Sequence, residues 1–262
     1  MTVASSNTLL CLVCGFAHGG TTMLGELLRQ HPRVDGRFEA GLLLGERPKD
    51  FTGVQCFPRF VRRCWGVDDG GMRRLTSCQT FPEMYDTLRE VSNLEDKTVQ
   101  IYDKAPVYMY ELAKIMAKTD VPVVVTVKDP RAILLSNLRR HATAPLEKTA
   151  LSLDPWTRGY EHAQRTYGDR ILLVRNEHLC LEPLKYGKQI YDFLGLEWKD
   201  EYVELRSVYP LHDNIYGNED GGGSSRGIAS DRLTEWKELL PAEDVEIFQG
   251  LLQDSRRWCW NP

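Results

Sequence analysis

The stretch Val13 to Pro32, VCGFAHGGTTMLGELLRQHP, constrains this chain more than any other. It continues an apolar run from Thr8 to Cys14 that reads as a buried β-strand. Thr21 and Thr22 then open a segment with apolar residues at Met23, Leu24, Leu27 and Leu28, the spacing of one helix face. Between strand and helix lies a short loop containing Gly15, Gly19 and Gly20. Strand, tight glycine loop and helix N-terminus together make a phosphate-binding geometry. Glycine lets the backbone approach an anion, and the open N–H groups of the first helical turn point at it with the helix dipole behind them.

The loop departs from the nucleoside-triphosphatase pattern G-x-x-x-x-G-K-[ST]. Gly15 and Gly20 have its spacing, but Thr21 stands where the phosphate-binding lysine belongs. The loop therefore suits a ligand with a single phosphate at this point and no metal, and it speaks against a kinase or ATPase.

A second block runs from Val121 to Arg140, VPVVVTVKDPRAILLSNLRR. Val123 to Val127 is β-branched and nearly continuous, as in a central parallel strand covered on both faces. Asp129 suits a helix cap and Pro130 the first helical position. Lys128 and Ser136 stand eight residues apart, with Arg131 as a nearby second cation. Further strands are read at Arg33–Glu39, Thr98–Tyr102 and Arg170–Arg175, with helices at Asp154–Tyr167 and Ala242–Leu252. Leu138 to Trp156 reads as a polar connection. Glu39 falls at a strand's carboxyl end, where residues of an α/β sheet face the ligand crevice; the alternative is a solvated loop carboxylate. Lys104 follows another strand, either as a charge-stabilising group at the crevice or as an exposed lysine at a helix start.

Gly15-Phe16-Ala17-His18-Gly19-Gly20-Thr21-Thr22-Met23-Leu24 resembles the 5′-phosphosulfate loop of the sulfotransferase family, G-F-x-[KR]-S-G-T-T-x-L. Lys128 to Ser136 resembles that family's 3′-phosphate motif, R-[DN]-P-[RK]-D-x-x-x-S. Lys104-Ala105-Pro106 resembles its K-T-P segment, and Asn176-Glu177-His178-Leu179 with Phe193-Leu194-Gly195-Leu196 its Y-E-D-L … F-L-G-L stretch. Pro106 stands where the cytosolic branch has a catalytic histidine, so the likeness is closer to the carbohydrate and bacterial type. Two departures stand out: His18 replaces the basic loop residue, and Lys128 replaces arginine, keeping the charge without the bidentate fork.

The resemblance implies a three-layer α/β fold with a central parallel sheet and a phosphate-binding loop after the first strand. It implies 3′-phosphoadenosine 5′-phosphosulfate as donor and 3′,5′-bisphosphoadenosine as product, without metal. Ala17, His18, Gly19, Gly20, Thr21, Thr22 and Met23 would hold the 5′-phosphosulfate end, and Lys128, Ser136, Arg226 and Gly227 the 3′-phosphate, with Arg232 a rival to Arg226. Glu39 would act as general base for an acceptor hydroxyl or amine, while His18 and Lys104 would offset charge on the sulfuryl group and bridging oxygen. His178 reads as a capping or core residue. The alternatives are a nucleotide-binding protein with impaired chemistry, or a phosphoryl-transfer enzyme on the same fold.

The remaining expectations are broader. A formal net charge of −4 gives no global pull towards nucleic acid, so anion binding must be local. No stretch approaches the roughly 20 apolar residues that span a bilayer. The seven scattered cysteines fit a reducing cytoplasm, although a trimmed membrane anchor would leave the same sequence. Cys11 and Cys14, inside the first strand, read as core thiols rather than a metal or redox pair. Residues 1–262 are expected to form one domain. An irregular insertion at about 45–95 would carry arginines and aromatics towards the acceptor or into solvent, and a mobile glycine-rich loop is expected at about 214–232. The acceptor could be carbohydrate, lipid, peptide or a small molecule.

Overall fold

The computed structural model describes residues 8–140, 146–205, 228, 230 and 232–260. Five strands form one parallel sheet in the order β2-β3-β1-β4-β5: β1 Leu9–Gly15, β2 Val34–Asp35, β3 Gln100–Lys104, β4 Val123–Val127 and β5 Ile171–Arg175. β1 is central, pairing Val13 with Lys104 of β3 and Gly15 with Thr126 of β4. Every β1 residue is buried, as expected for a strand with helices on both faces. Its register slips between Leu9 and Cys11. Leu9, Leu12 and Cys14 accordingly face one core, while Leu10, Cys11 and Val13 face the other. Cys11 and Cys14 are free core thiols, and burial pushes both well above the usual thiol range.

On the second face lie α1 (Thr21–Leu28), α8 (Asn176–Leu181) and α9 (Pro183–Phe193), with Leu24, Leu27 and Leu28 packing against Ile190, Tyr191 and Leu194. Tyr191 Oη donates to the Leu27 carbonyl at 2.7 Å, tying α9 to the end of α1. The first face carries α5 (Leu112–Met116), α6 (Pro130–Arg140) and α7 (Leu146–Tyr167). The architecture is the three-layer α/β fold expected from the sequence.

Three expectations are corrected. The span expected to be irregular, 45–95, folds into α2 (Phe57–Cys64), α3 (Asp69–Ser77) and α4 (Phe81–Val91). Asp68 caps α3 through the Gly71 N–H, and Thr80 with Glu83 forms a capping box on α4. Val61, Trp65, Leu75, Met84, Tyr85 and Leu88 bury these helices in the main core. Several of the arginines pair on the surface, Arg62 with Asp69 and Arg74 with Glu90. α7 begins at Leu146, although Leu138–Trp156 reads as a connection. Pro155 lies within it, and the buried series Ala150, Leu153, Thr157, Tyr160 carries the helix through that residue. β2 is only two residues long, so Glu39 lies four residues beyond its end. The glycine-rich loop, with Arg226 and Gly227, lies outside the described residues.

Candidate active site

The carboxyl ends of β3, β1 and β4 stand side by side, neighbouring strands being about 4.8 Å apart. The loop leaving β1 is forced into shape by two close approaches. Gly15 has φ 152°, and a Cβ there would lie 2.0 Å from the Thr126 carbonyl oxygen. Gly20 has φ 95°, and a Cβ would lie 2.3 Å from Asn176 Nδ2. His18 adopts the left-handed region at φ 63° without being glycine, a conformation that costs energy and collects at functional sites. The Gly19 N–H donates to the Phe16 carbonyl at 2.9 Å, and Thr126 Oγ1 donates to the Gly19 carbonyl at 3.1 Å.

Gly20 is the cap position of α1, and no side-chain hydrogen bond caps the helix. The first-turn N–H groups therefore open towards the crevice with the positive end of the dipole, an arrangement matched to a phosphate. Ala17 is exposed, His18, Gly20, Thr22 and Met23 are partly buried, and Gly19 and Thr21 are buried.

At the end of β3, Lys104 meets Glu39 at 3.1 Å across 65 residues of sequence. The Lys104 side chain is only 3% exposed and the Glu39 side chain 15%, and Lys104 Nζ lies 4.4 Å from the centre of the Phe38 ring. Neither residue takes its bland alternative of a solvated charge. Asp103, beside Lys104, is fully buried and accepts from Tyr85 Oη at 2.7 Å, Tyr108 Oη at 2.6 Å, the Gly41 N–H at 3.0 Å and the Leu42 N–H at 3.2 Å. Burial pushes its carboxyl above the usual range, and these four bonds act in the opposite direction.

On the other side of β1, Lys128 follows β4 directly and Ser136 lies on α6, both partly buried. Burial pushes the Lys128 ammonium below the ordinary lysine range, opposed by Glu177 and, more weakly, by Asp129 and Glu235. Asp129 caps α6 through the Arg131 N–H at 2.8 Å. Arg131, expected as a second cation for the ligand, turns inward instead. It binds both Asp129 oxygens and donates to the Trp260 carbonyl at 2.7 Å, with its guanidinium 3.9 Å from the Trp236 ring centre. With Asp129, which accepts from the Trp260 N–H at 3.0 Å, it ties Trp260 to the start of α6. Arg232, the rival to Arg226, pairs with Glu235 at 3.6 Å. His178 stacks on Tyr186 with ring centres 5.4 Å apart, consistent with a packing role.

Four supporting residues were given no site role from the sequence, although Asn176 and Glu177 belong to the stretch that resembles Y-E-D-L. Thr126 and Asn176 brace the loop, and Asp103 anchors the segment after Glu39. Glu177 accepts from the Asp129 N–H at 2.7 Å. Asn176 had a signal, since it stands at the carboxyl end of β5 on the crevice side. Asp103 had one too, because a carboxylate within a buried strand needs hydrogen-bond donors. No group of three or more His, Cys, Asp or Glu arranged to hold a metal occurs among the described residues.

The sulfotransferase family model matches residues 11–200, which includes the β1 loop, Glu39, Lys104, Lys128 and Ser136. The chain belongs to the sulfotransferase family. Carbohydrate sulfotransferase 1 of Danio rerio is 38% identical over 110 residues, 40% of this chain and 22% of that protein. Carbohydrate sulfotransferase 3 of Tetronarce californica is 30% identical over 125 residues, 46% of this chain and 23% of that protein. The chain thus matches less than a quarter of the length of these relatives. The sulfotransferase domain of the Synechococcus PCC 7002 olefin synthase shares the fold at TM-score 0.66 and 19% identity, covering 92% of this chain and 93% of that one. The sulfotransferase domain of the curacin biosynthetic pathway does so at TM-score 0.68 and 15% identity, covering 97% and 99%. No helix among the described residues is long and apolar enough to cross a membrane.

Proposed function

We propose that this sulfotransferase-family chain transfers a sulfuryl group from 3′-phosphoadenosine 5′-phosphosulfate to a hydroxyl of a carbohydrate acceptor. The observation that carries the reading is the partly buried Glu39–Lys104 pair at the end of β3, beside the uncapped N-terminus of α1 on β1. The carbohydrate assignment rests on the two relatives named for that acceptor class. Residues 1–262 are read as one such domain. The free cysteines are compatible with a reducing compartment.

The donor supplies the sulfuryl group and a bisphosphate leaving group. The N–H groups of Gly20 to Met23 and the Thr21 and Thr22 hydroxyls hold the 5′-phosphosulfate end; Gly19 shapes the turn, its own N–H given to the Phe16 carbonyl, and Ala17 borders the site. Lys128 and Ser136 hold the 3′-phosphate, and Arg226 and Gly227 are assigned to the same group. Glu39 accepts the acceptor's proton as its oxygen bonds to sulfur, and the bond from sulfur to the bridging oxygen breaks. Lys104 and His18 offset the negative charge that collects on the sulfuryl and bridging oxygens. Lys104 meets Glu39 through Oε1 at 3.1 Å, so Oε2 is the oxygen that takes the acceptor's proton while the ion pair holds the carboxylate in place.

The test of the catalytic assignment is turnover of Glu39 and Lys104 variants with purified donor and a panel of oligosaccharides. Wild-type rates in both variants contradict it.

Lys128 yields a separate prediction. Its ammonium must be protonated to hold a phosphate, and burial lowers its pKa in the free protein. Binding a 3′-phosphate favours the charged form, so affinity falls as pH rises through that lowered value, before the ordinary lysine pKa of about 10.4. Calorimetric titration of 3′,5′-bisphosphoadenosine from about pH 7 to pH 10 should show this decline. Lys128→Arg, charged throughout, should flatten it. Lys128→Met should lose about 1.5–3 kcal/mol, roughly a 10- to 100-fold weaker affinity, with 5′-AMP binding unchanged.

A further inference from the structure

The segment bearing Glu39 crosses the end of β3 and is fastened on both sides of that residue. One residue before it, the Phe38 carbonyl accepts from Trp65 Nε1 at 2.9 Å. Two to four residues after it, three consecutive N–H groups meet buried side chains. Gly41 and Leu42 donate to Asp103, and Leu43 donates to Tyr108 Oη at 3.1 Å. Asp103 lies next to Lys104 on the same strand, so one strand holds both the cation and the anchor for the carboxylate that faces it. Two phenols complete the anchor: Tyr108 from the turn after β3, and Tyr85 from α4 of the helical insertion.

We propose that the Asp103–Tyr85–Tyr108 cluster is the positioning device of the reaction. It fixes the Glu39 carboxylate against Lys104 and links the helical insertion to the site. The inference rests on the reading of Glu39 as the base.

The arrangement is more than packing. Asp103 presents two oxygens to four donors, so its orientation is fully determined, and a determined orientation fixes the backbone of Gly41 and Leu42. A rigid support of this kind separates a catalytic group held within a few tenths of an ångström from one that merely lies nearby. Because Tyr85 belongs to α4, a shift of the insertion on acceptor binding would reach the Glu39 segment through two hydrogen bonds, Tyr85 to Asp103 and Gly41 to Asp103. Positioning through Asp103 should affect the chemical step and leave the donor half of the site, built on β1 and β4, alone.

The experiment uses the Tyr85→Phe/Tyr108→Phe double variant, which keeps both rings in the core. Three quantities are compared with wild type: affinity for 3′,5′-bisphosphoadenosine, the crystal structure around Glu39, and release of 3′,5′-bisphosphoadenosine from the donor at saturating donor concentration, with chitobiose or water as acceptor. The proposal expects unchanged nucleotide affinity, a Glu39 carboxylate displaced from Lys104, and at least a tenfold lower rate without a change in the donor's KM. An ion pair that stays at its wild-type distance, or a rate within twofold of wild type, overturns it. Loss of melting temperature alone, with rate and ion pair intact, also overturns it, since that is what a purely structural cluster produces. Glu39→Gln in the same assay separates the two readings. A wild-type rate in Glu39→Gln removes the base assignment itself. A slow Glu39→Gln beside a fast double variant removes only the positioning role.

Discussion

Glu39→Gln is expected to reduce turnover by about 10²- to 10⁴-fold, the usual contribution of a positioned general base. Affinity for 3′,5′-bisphosphoadenosine should stay within about twofold, because the proposed donor half of the site draws on β1, α1 and β4 and not on the segment that carries Glu39. The substitution keeps the size and shape of the side chain and an oxygen that can still accept from Lys104, so the ion pair becomes a hydrogen bond. The only large loss is proton acceptance. Removing the cation instead would be more damaging to the fold, since a carboxylate only 15% exposed would remain without its partner. Steady-state rates with donor affinity measured in parallel check the prediction; an equal loss in both would mean that Glu39 shapes the site rather than serving the reaction.

Gly15→Ala should destabilise the chain by roughly 2–5 kcal/mol, adding the left-handed backbone penalty of about 1–2 to an overpacking cost of about 1–3. Against a typical total of about 5–15 kcal/mol this is severe. The new methyl would meet a backbone oxygen, Thr126 O at 2.0 Å, that belongs to the β1–β4 ladder and cannot swing aside as a side chain could. Gly250→Ala is the matching control: it lies in the helix Ala242–Leu251, and nothing lies within 4 Å of its added Cβ. That change should be neutral or stabilising by up to about 1 kcal/mol. Denaturant unfolding of both variants checks the contrast, and similar stabilities for the two would refute the geometric account of the loop.

The parts legible in the sequence are those governed by local pattern. The apolar β1, the glycine loop, the helical spacing of α1, the valine run of β4 and the Lys128/Ser136 interval each depend on residues within a short window. They stand where the sequence reading put them. The helical insertion was not legible because its apolar positions are interrupted by arginines that turn out to pair with Asp69 and Glu90 on the surface. α7 was missed at its start because Pro155 masks a helix that tertiary packing sustains. The site itself shows the deeper limit. Glu39 and Lys104 were each singled out, but their contact spans 65 residues and follows from strand order rather than from spacing. Arg131 misled for a related reason: its neighbour Asp129 and the distant Trp260 carbonyl claim the guanidinium.

The most direct test of the account is calorimetric titration of 3′,5′-bisphosphoadenosine into the purified protein, with 5′-AMP and ATP as comparators and with and without magnesium. Tight binding that requires the 3′-phosphate and is indifferent to metal is the expected result. No binding of the bisphosphate, or a preference for ATP that appears with magnesium, would contradict it.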